Sequence, residues 1–333
     1  MRFTMKISRI CLLVAMLLFM SGISLAQSSG FDQVGTTSFQ FLSVVPNARA
    51  AAIGGASTAT IRKSEAAFFN PALLTSTKNF DVGIAYLDWF LDVNISSVSL
   101  SYNMSSLGVL GFHAQVTNYG EIQETRTDQL LRDDVTGIYN PGLTGNTISA
   151  SSMVFGVSFA RQLTDRFSFG LTAKYAREDL SVASANALVF DGGVAYQTGF
   201  KTLELGIMLR NFGSEIKYVN ESYPLPQTFA IGISGYLVGP GDSFFSGSEN
   251  NNLLLAFDLA QTRDHSQQQH IGAEYSFRNL IALRGGYKFN FDEESWTAGF
   301  GLNVNRFSLD YSYNDFGEFL GNVQRFTLNV VFD

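Results

Sequence analysis

Ile281-Ala282-Leu283-Arg284-Gly285-Gly286-Tyr287-Lys288-Phe289-Asn290-Phe291 alternates apolar and polar residues almost without a break. Ile281, Leu283, Tyr287, Phe289 and Phe291 fall on one face of an extended chain, and Ala282, Arg284, Gly286, Lys288 and Asn290 on the other. Side chains of a strand point alternately to its two sides, so this period of two means a strand with one apolar and one polar environment. Neighbouring stretches repeat the pattern. Trp296, Ala298, Phe300, Leu302 and Val304 share a face, and Phe307, Leu309, Tyr311 and Tyr313 alternate with Ser308, Asp310, Ser312 and Asn314. Earlier in the chain Phe167, Phe169, Leu171 and Tyr175 oppose Ser168, Thr172 and Lys174, and Leu253, Leu255, Phe257 and Leu259 oppose Ala256 and Asp258.

A water-soluble β-sandwich would show the same alternation. Two features favour a membrane barrel instead. The segments run to about ten residues, longer than the usual five or six of globular strands. Aromatics also recur at segment ends (Tyr102, Tyr119, Tyr196, Phe291, Tyr313), where the girdles of a membrane barrel sit. Fourteen segments are expected, near 80–90, 93–104, 107–119, 149–162, 166–178, 187–198, 202–212, 227–238, 251–261, 268–278, 280–291, 295–304, 306–315 and 323–332. The even number suits a bacterial barrel. With the N-terminus in the periplasm, the long connections 120–148, 213–226, 262–267 and 316–322 fall outside the cell, and the short ones fall on the periplasmic side. Residues 239–250 break that rule, which leaves either an insertion or a miscounted strand. The closing segment Arg325 to Asp333 is similar to the C-terminal signal of bacterial barrels, although Asp333 displaces the usual terminal aromatic.

Composition agrees. The chain is 46% hydrophobic and 14% aromatic, with 30 Phe and 13 Tyr, and only 15% is charged, against about a quarter in soluble domains. At the start, Arg2, Lys6 and Arg9 precede the apolar run Ile10–Met20 and the small-residue site Ser24-Leu25-Ala26, the pattern of a cleaved export signal with Gln27 as first mature residue. The run falls short of the roughly 20 residues that span a bilayer. Cys11, the one cysteine, lies inside it, so the mature chain has no disulfide, thiolate ligand or thiol nucleophile. A net charge of −7 argues against a nucleic-acid partner. The expected organisation is a signal peptide at 1–26, an N-terminal segment at 27–79 and a transmembrane all-β antiparallel barrel at 80–333, placed in a bacterial outer membrane.

Residues 39–74 have another character. Ala-rich patches are broken by Gly54-Gly55 and by Asn70-Pro71, which no membrane strand tolerates. Such a segment can fold back into a lumen as wide as fourteen strands enclose. Its marks are Pro46-Asn47-Ala48-Arg49, Gly54-Gly55-Ala56 and Phe69-Asn70-Pro71-Ala72. By these marks, over about the first fifth of the mature chain, it resembles the PorV/PorQ family of outer-membrane proteins, within the wider group of barrels built like the fatty-acid transporter FadL. The resemblance implies a fourteen-stranded barrel with an N-terminal hatch and, for PorV and PorQ, service to the type IX secretion system.

Catalytic chemistry finds no foothold. Gly232-Ile233-Ser234-Gly235 is one residue short of a nucleophile elbow and lies in a strand. His265-Ser266 reads as a solvated turn, and Asp128, Asp133 and Asp134 lack the spacing of a calcium loop. No enzyme, cofactor or metal is expected. Turning the apolar faces toward lipid puts Lys174, Glu204, Arg210, Asp258, Glu274, Arg284, Lys288, Asp310 and Arg325 in the lumen. Their signs nearly balance, which suits mutual pairing and pairing with the hatch better than a charge-selective pore. Two functions follow. One is an interaction protein that binds secretion components or exported proteins through the loop 121–147, with Leu130, Leu131, Ile138 and Tyr139 as contacts. The other is a transporter of a hydrophobic small ligand past the hatch, and a purely structural barrel is a third reading. The interaction reading comes first, since it rests on the N-terminal pattern.

Overall fold

The computed structural model describes residues 34–130, 132, 134–139, 142–291 and 294–332. The export signal, Leu131, Asp133 and the final Asp333 lie outside these residues. Fourteen strands form one closed antiparallel sheet. In chain order they are β1 (Phe80–Asp88), β2 (Asn94–Asn103), β3 (Val109–Thr125), β4 (Leu143–Thr164), β5 (Phe167–Asp179), β6 (Ser184–Gln197) and β7 (Glu204–Gly213). Then follow β8 (Thr228–Gly239), β9 (Asn251–Thr262), β10 (Gln268–Phe277), β11 (Ile281–Phe289), β12 (Trp296–Val304), β13 (Phe307–Asp315) and β14 (Asn322–Phe332). Each pairs with its chain neighbours, and β1 closes on β14 from Phe80↔Phe332 to Asp88↔Gln324. Closure removes every unpaired edge, as a hydrocarbon environment requires.

The two faces separate as the alternation demands. On β11, Ile281, Leu283 and Tyr287 are exposed outside, while Ala282 and Arg284 are buried inside. Left-handed asparagines turn the chain tightly at Asn279 and Asn305 (φ 53° and 54°), a conformation their short polar side chain tolerates. Two end aromatics depart from the girdle expectation. Tyr119 faces inward, its hydroxyl 2.9 Å from Ser152 Oγ and 3.3 Å from Glu178 Oε1. Phe291 lies beyond the end of β11, after a left-handed Asn290 (φ 62°), and its ring packs edge-on against His270 inside the lumen.

Two connections also differ from expectation. The segment 120–148 is largely a continuation of β3 and β4 as a hairpin, with Glu121↔Ser149, Ile122↔Ile148 and Gln123↔Thr147 in register. Residues 239–250 are an ordered insertion, not a missed strand. Ser246–Gly247 runs parallel to the end of β8, and Phe244 N and Phe245 N donate to Tyr236 O and Leu237 O. Phe244 also meets Phe200 of the preceding short turn, with ring centroids 5.9 Å apart.

Residues 36–77 run through the lumen in short helical turns. The helix α1 (Ala48–Ala52) starts at Asn47, whose Oδ1 accepts from Ala50 N at 2.6 Å. The 3-10 turn Pro71–Ser76 starts at Asn70, whose Oδ1 accepts from Ala72 N, with Pro71 pre-set at the first helical position. Helix caps therefore account for both asparagines of the N-terminal pattern. The wall makes room for this segment with glycines. A Cβ on Gly286 would stand 2.2 Å from Gly54 N, one on Gly272 2.3 Å from Ile53 O, one on Gly193 2.0 Å from Asn70 Oδ1, and one on Gly170 2.4 Å from the Pro71 carbonyl carbon. Each is below any tolerable contact, so the backbones touch only because these inward positions carry no side chain.

Candidate functional site

The lumen divides into two halves around this segment. Over β4–β6 it holds an apolar cluster of Phe39, Phe41, Leu42, Val154, Ala176, Ala187 and Val189, beside the buried Lys174, Glu178 and Asp191. Ile216 and Leu225, from the connection between β7 and β8, complete it from above. That connection is pinned by Tyr218, which donates its hydroxyl to Glu178 Oε2 and sets its ring against Phe39. Burial first, then the Glu178 carboxylate, pushes the Tyr218 phenol well above its usual range.

The half over β7–β11 is polar and charged. Arg49 donates from Nε and Nη2 to the two oxygens of Glu274 at 2.8 and 3.1 Å. Arg284 reaches the same carboxylate at 2.6 Å and Asp310 at 2.6 Å. Two guanidiniums and two carboxylates thus form a neutral chain from the lumenal segment across β10, β11 and β13, the arrangement that makes buried charge tolerable. Lys288 pairs with Glu294 at 2.5 Å, and Glu204 with Arg62. On the other side of the barrel Lys174 pairs with Asp191 at 2.8 Å. Arg325 donates to Val45 O and Asn314 Oδ1 and lies over the Trp89 ring. Asp258 Oδ2 accepts from Thr58 N at 2.8 Å, and Arg210 Nη1 donates to Phe68 O at 3.2 Å. All nine lumen charges named from the sequence thus lie inside. Their partners Asp191, Arg62 and Glu294 were not singled out there, although Asp191 lies on the inward-facing side of its own alternating segment.

The N-terminal pattern sits on the same network. Pro46 is buried, Ala48 N donates to Thr327 Oγ1, and Gly54 joins Thr297 Oγ1 through its N–H and His270 Nδ1 through its carbonyl. Gly55 lies next to His270, and Ala72 is buried against Leu73 and Leu74. The loop residues Leu130, Ile138 and Tyr139 are exposed at the hairpin tip, far along the chain from this network. Ser234 Oγ donates to Ala59 O, and no cluster of three or more metal-ligating side chains occurs among the described residues.

Two spaces remain. A cavity of about 300 Å³ lies between the lumenal segment and β7–β11, with Val45, Met208, Arg210, Asp258, His270 and Phe291 among its walls. A second, of about 480 Å³, is a depression in the lipid-facing surface of β2–β6. It exists because Ala114 and Ala173 are short outward side chains in a field of Phe112, Phe155, Val157, Tyr175 and Leu188.

No protein-family model and no curated protein matches the chain by sequence. Solved structures do match it. The chain is similar to the Pseudomonas putida toluene transporter TodX, with a TM-score of 0.55 and 13% identity over 85% of this chain and 95% of that one. It is similarly related to the deltaS2S3 mutant of the TodX monoaromatic hydrocarbon channel, at TM-score 0.55 and 14% identity over 86% and 97%. A more distant likeness is to a Pseudomonas aeruginosa FadL homologue, at TM-score 0.46 and 11% identity over 85% and 96%. At such identities the likeness is one of fold, the closed antiparallel barrel seen in TodX.

Proposed function

We propose that the chain is a non-enzymatic outer-membrane channel for small hydrophobic molecules, exported behind a cleaved segment 1–26 and carrying residues 27–79 as a hatch inside the barrel 80–333. The observation that carries this reading is an apolar depression on the outer face of β2–β6, set across the wall from an apolar cluster of the lumenal segment. Inside stands the Phe39–Phe41–Leu42 cluster, and outside lies the depression floored by Ala114 and Ala173. An apolar solute gains by leaving water for the lumenal cluster, while the depression outside opens onto lipid that is as apolar as the solute. The fold shared with TodX, named a toluene transporter, supports the same substrate class. It ranks above the secretion reading for that reason.

The test is toluene uptake by cells carrying the chain in a porin-deficient host. Ala173→Trp fills the depression from the lipid side and touches no lumen residue. Uptake reduced several-fold supports the channel, and uptake equal to the unaltered chain removes it. Proteomic identification of Gln27 as the mature N-terminus tests the export signal.

A PorV/PorQ-like secretion role keeps one observation of its own. Ile138 and Tyr139 are 69% and 62% exposed at the tip of the hairpin that β3 and β4 raise above the barrel. Deleting residues 127–141 should then abolish recovery of exported proteins or secretion components in pull-downs from native membranes.

A further inference from the structure

The charges on the outside of the barrel follow a different rule from those in the lumen. At the rim that carries the short turns stand Lys78 before β1, Arg161 at the end of β4, Arg166 in the β4–β5 turn, Lys201 in the β6–β7 turn, Arg278 in the β10–β11 turn and Arg306 in the β12–β13 turn. Against them the described residues of that rim set Asp165, Asp242 and Glu249. All of the bases except Lys201 are exposed, and among the described residues Lys201 alone of them makes an ion pair, with Asp242. At the opposite rim the sign reverses, and exposed acids outnumber exposed bases among the described residues.

Each of these bases lies within two residues of a phenylalanine, in the same order Phe80, Phe159, Phe167, Phe200, Phe277 and Phe307. Phe200, Phe277 and Phe307 are exposed, and the Arg278 guanidinium lies 5.2 Å from the centre of the Phe277 ring. Arg161 continues the outward face of Val157 and Phe159, and its partner across the ladder is Phe169. The bases therefore begin where the apolar band of the wall ends. A cationic head on a long stem fits that depth, because the stem lies on apolar surface while the head reaches the polar layer. A lipid-facing base is costly at the bilayer midplane, and the cost falls away toward the interface.

Their placement decides the partner. The positions are spread over β1, β4 to β7 and β10 to β13, so they surround the barrel. A folded protein or a peptide would touch one sector of such a ring. The layer of lipid headgroups meets the whole of it, and the complementary charge in that layer is the phosphate of an anionic phospholipid. A zwitterionic lipid offers the same phosphate with an ammonium group beside it, which repels the same bases.

We propose that the short-turn rim is a docking collar for anionic phospholipids. Arg161, Arg166, Arg278 and Arg306 pair with headgroup phosphates, a geometry that the planar guanidinium fork matches, and the neighbouring phenylalanines lie against the first carbons of the acyl chains. The proposal goes beyond the channel reading and does not need it, since lipid held at the rim neither opens nor fills a route for hydrocarbons.

The test places the full chain in nanodiscs of equal parts phosphatidylglycerol and phosphatidylethanolamine with the same acyl chains. Native mass spectrometry then identifies the lipids that stay bound when the disc is stripped away. The unaltered chain should retain phosphatidylglycerol over phosphatidylethanolamine by at least about fivefold, the effect of one base on one anionic headgroup. Arg161→Gln, Arg166→Gln, Arg278→Gln and Arg306→Gln together should remove most of that preference. Arg177→Gln, Lys217→Gln and Arg263→Gln, at exposed bases of the opposite rim, should leave it as it was. Mobility on a semi-native gel shows whether each variant is folded. If the combined rim variant does not fold, the single variants replace it, and each should lower the preference. Equal retention of both lipids by the unaltered chain overturns the proposal. So does a preference that survives the rim substitutions, or one that the opposite-rim variant loses to the same extent.

Discussion

Arg49 and Glu274 meet at two points, Nε to Oε2 at 2.8 Å and Nη2 to Oε1 at 3.1 Å, and this contact ties the lumenal segment to the wall. Glu274 is shared with Arg284, so removing Arg49 leaves Arg284 balanced but the segment without its two-point tie to the wall. The Arg49 side chain keeps 21% exposure, which places Arg49→Met near the lower end of the about 3–5 kcal/mol that breaking a buried pair costs. Limited proteolysis in detergent should cut between residues 34 and 79 in the variant and spare the strands. Equal resistance in both proteins would show that the pair does not hold the segment.

Two adjacent glycines should behave oppositely. Gly286→Ala drives a Cβ into Gly54 N and the Ile53 carbonyl carbon, both backbone atoms that cannot swing aside. Overpacking of that kind costs about 1–3 kcal/mol. Gly285→Ala points outward, where Thr297 O at 3.9 Å is the nearest atom, and should stay within about 0.5 kcal/mol of the parent. The temperature at which the folded band disappears on a semi-native gel should fall for the first and hold for the second.

The lipid face is testable at Phe300, in the middle of β12 and exposed on the outside. Phe300→Arg should lose about 2–4 kcal/mol if this position lies near the bilayer midplane. Denaturant unfolding from lipid vesicles reads the loss as a lower midpoint with unchanged slope. An unchanged midpoint would mean that the residue does not face lipid.

Asp264 gives a pH signature outside the spanning strands. Burial alone would raise its carboxyl, but hydrogen bonds from Thr37, His265 and Gln40 outweigh this and hold it below its ordinary 3.8. A depressed carboxylate stabilises above the unfolded value and loses that contribution as pH falls through the folded one. Residues 37–42 should therefore exchange amide hydrogens slowly at pH 7 and faster once the pH has fallen through the lowered Asp264 value. Asp264→Ala should show the fast exchange already at pH 7. Exchange independent of both changes would remove the clamp.

The strands were legible because lipid and lumen impose opposite demands on successive residues. Ile281 to Phe289 can satisfy them in one register only, since a one-residue slip would put Arg284 into lipid. Legibility ended where one of those environments ended. Above the membrane both faces of the β3–β4 hairpin meet water, so Glu121, Gln123, Thr147 and Ser149 carry no alternation and read as loop. Phe291 was misplaced for the same reason, because Asn290 had already turned the chain. Inside the lumen the charges could be assigned a side but not a partner. Lys174 and Asp191 stand 17 residues apart in sequence, and their contact depends on the stagger of β5 against β6. The cavity of about 300 Å³ was invisible altogether, because its walls come from the lumenal segment and five separate strands.

Gly170 and Gly193 lie on one arc of the wall, and Gly272 and Gly286 on another. Each accepts the backbone or a capping side chain of the lumenal segment where neighbouring residues would block it. A part keyed into slots on two sides of a tube cannot be drawn out along the axis, because every slot is closed above and below by side chains of its own strand. The segment therefore cannot act as a cork that lifts free and reseats. Whatever passes through this protein must go around it.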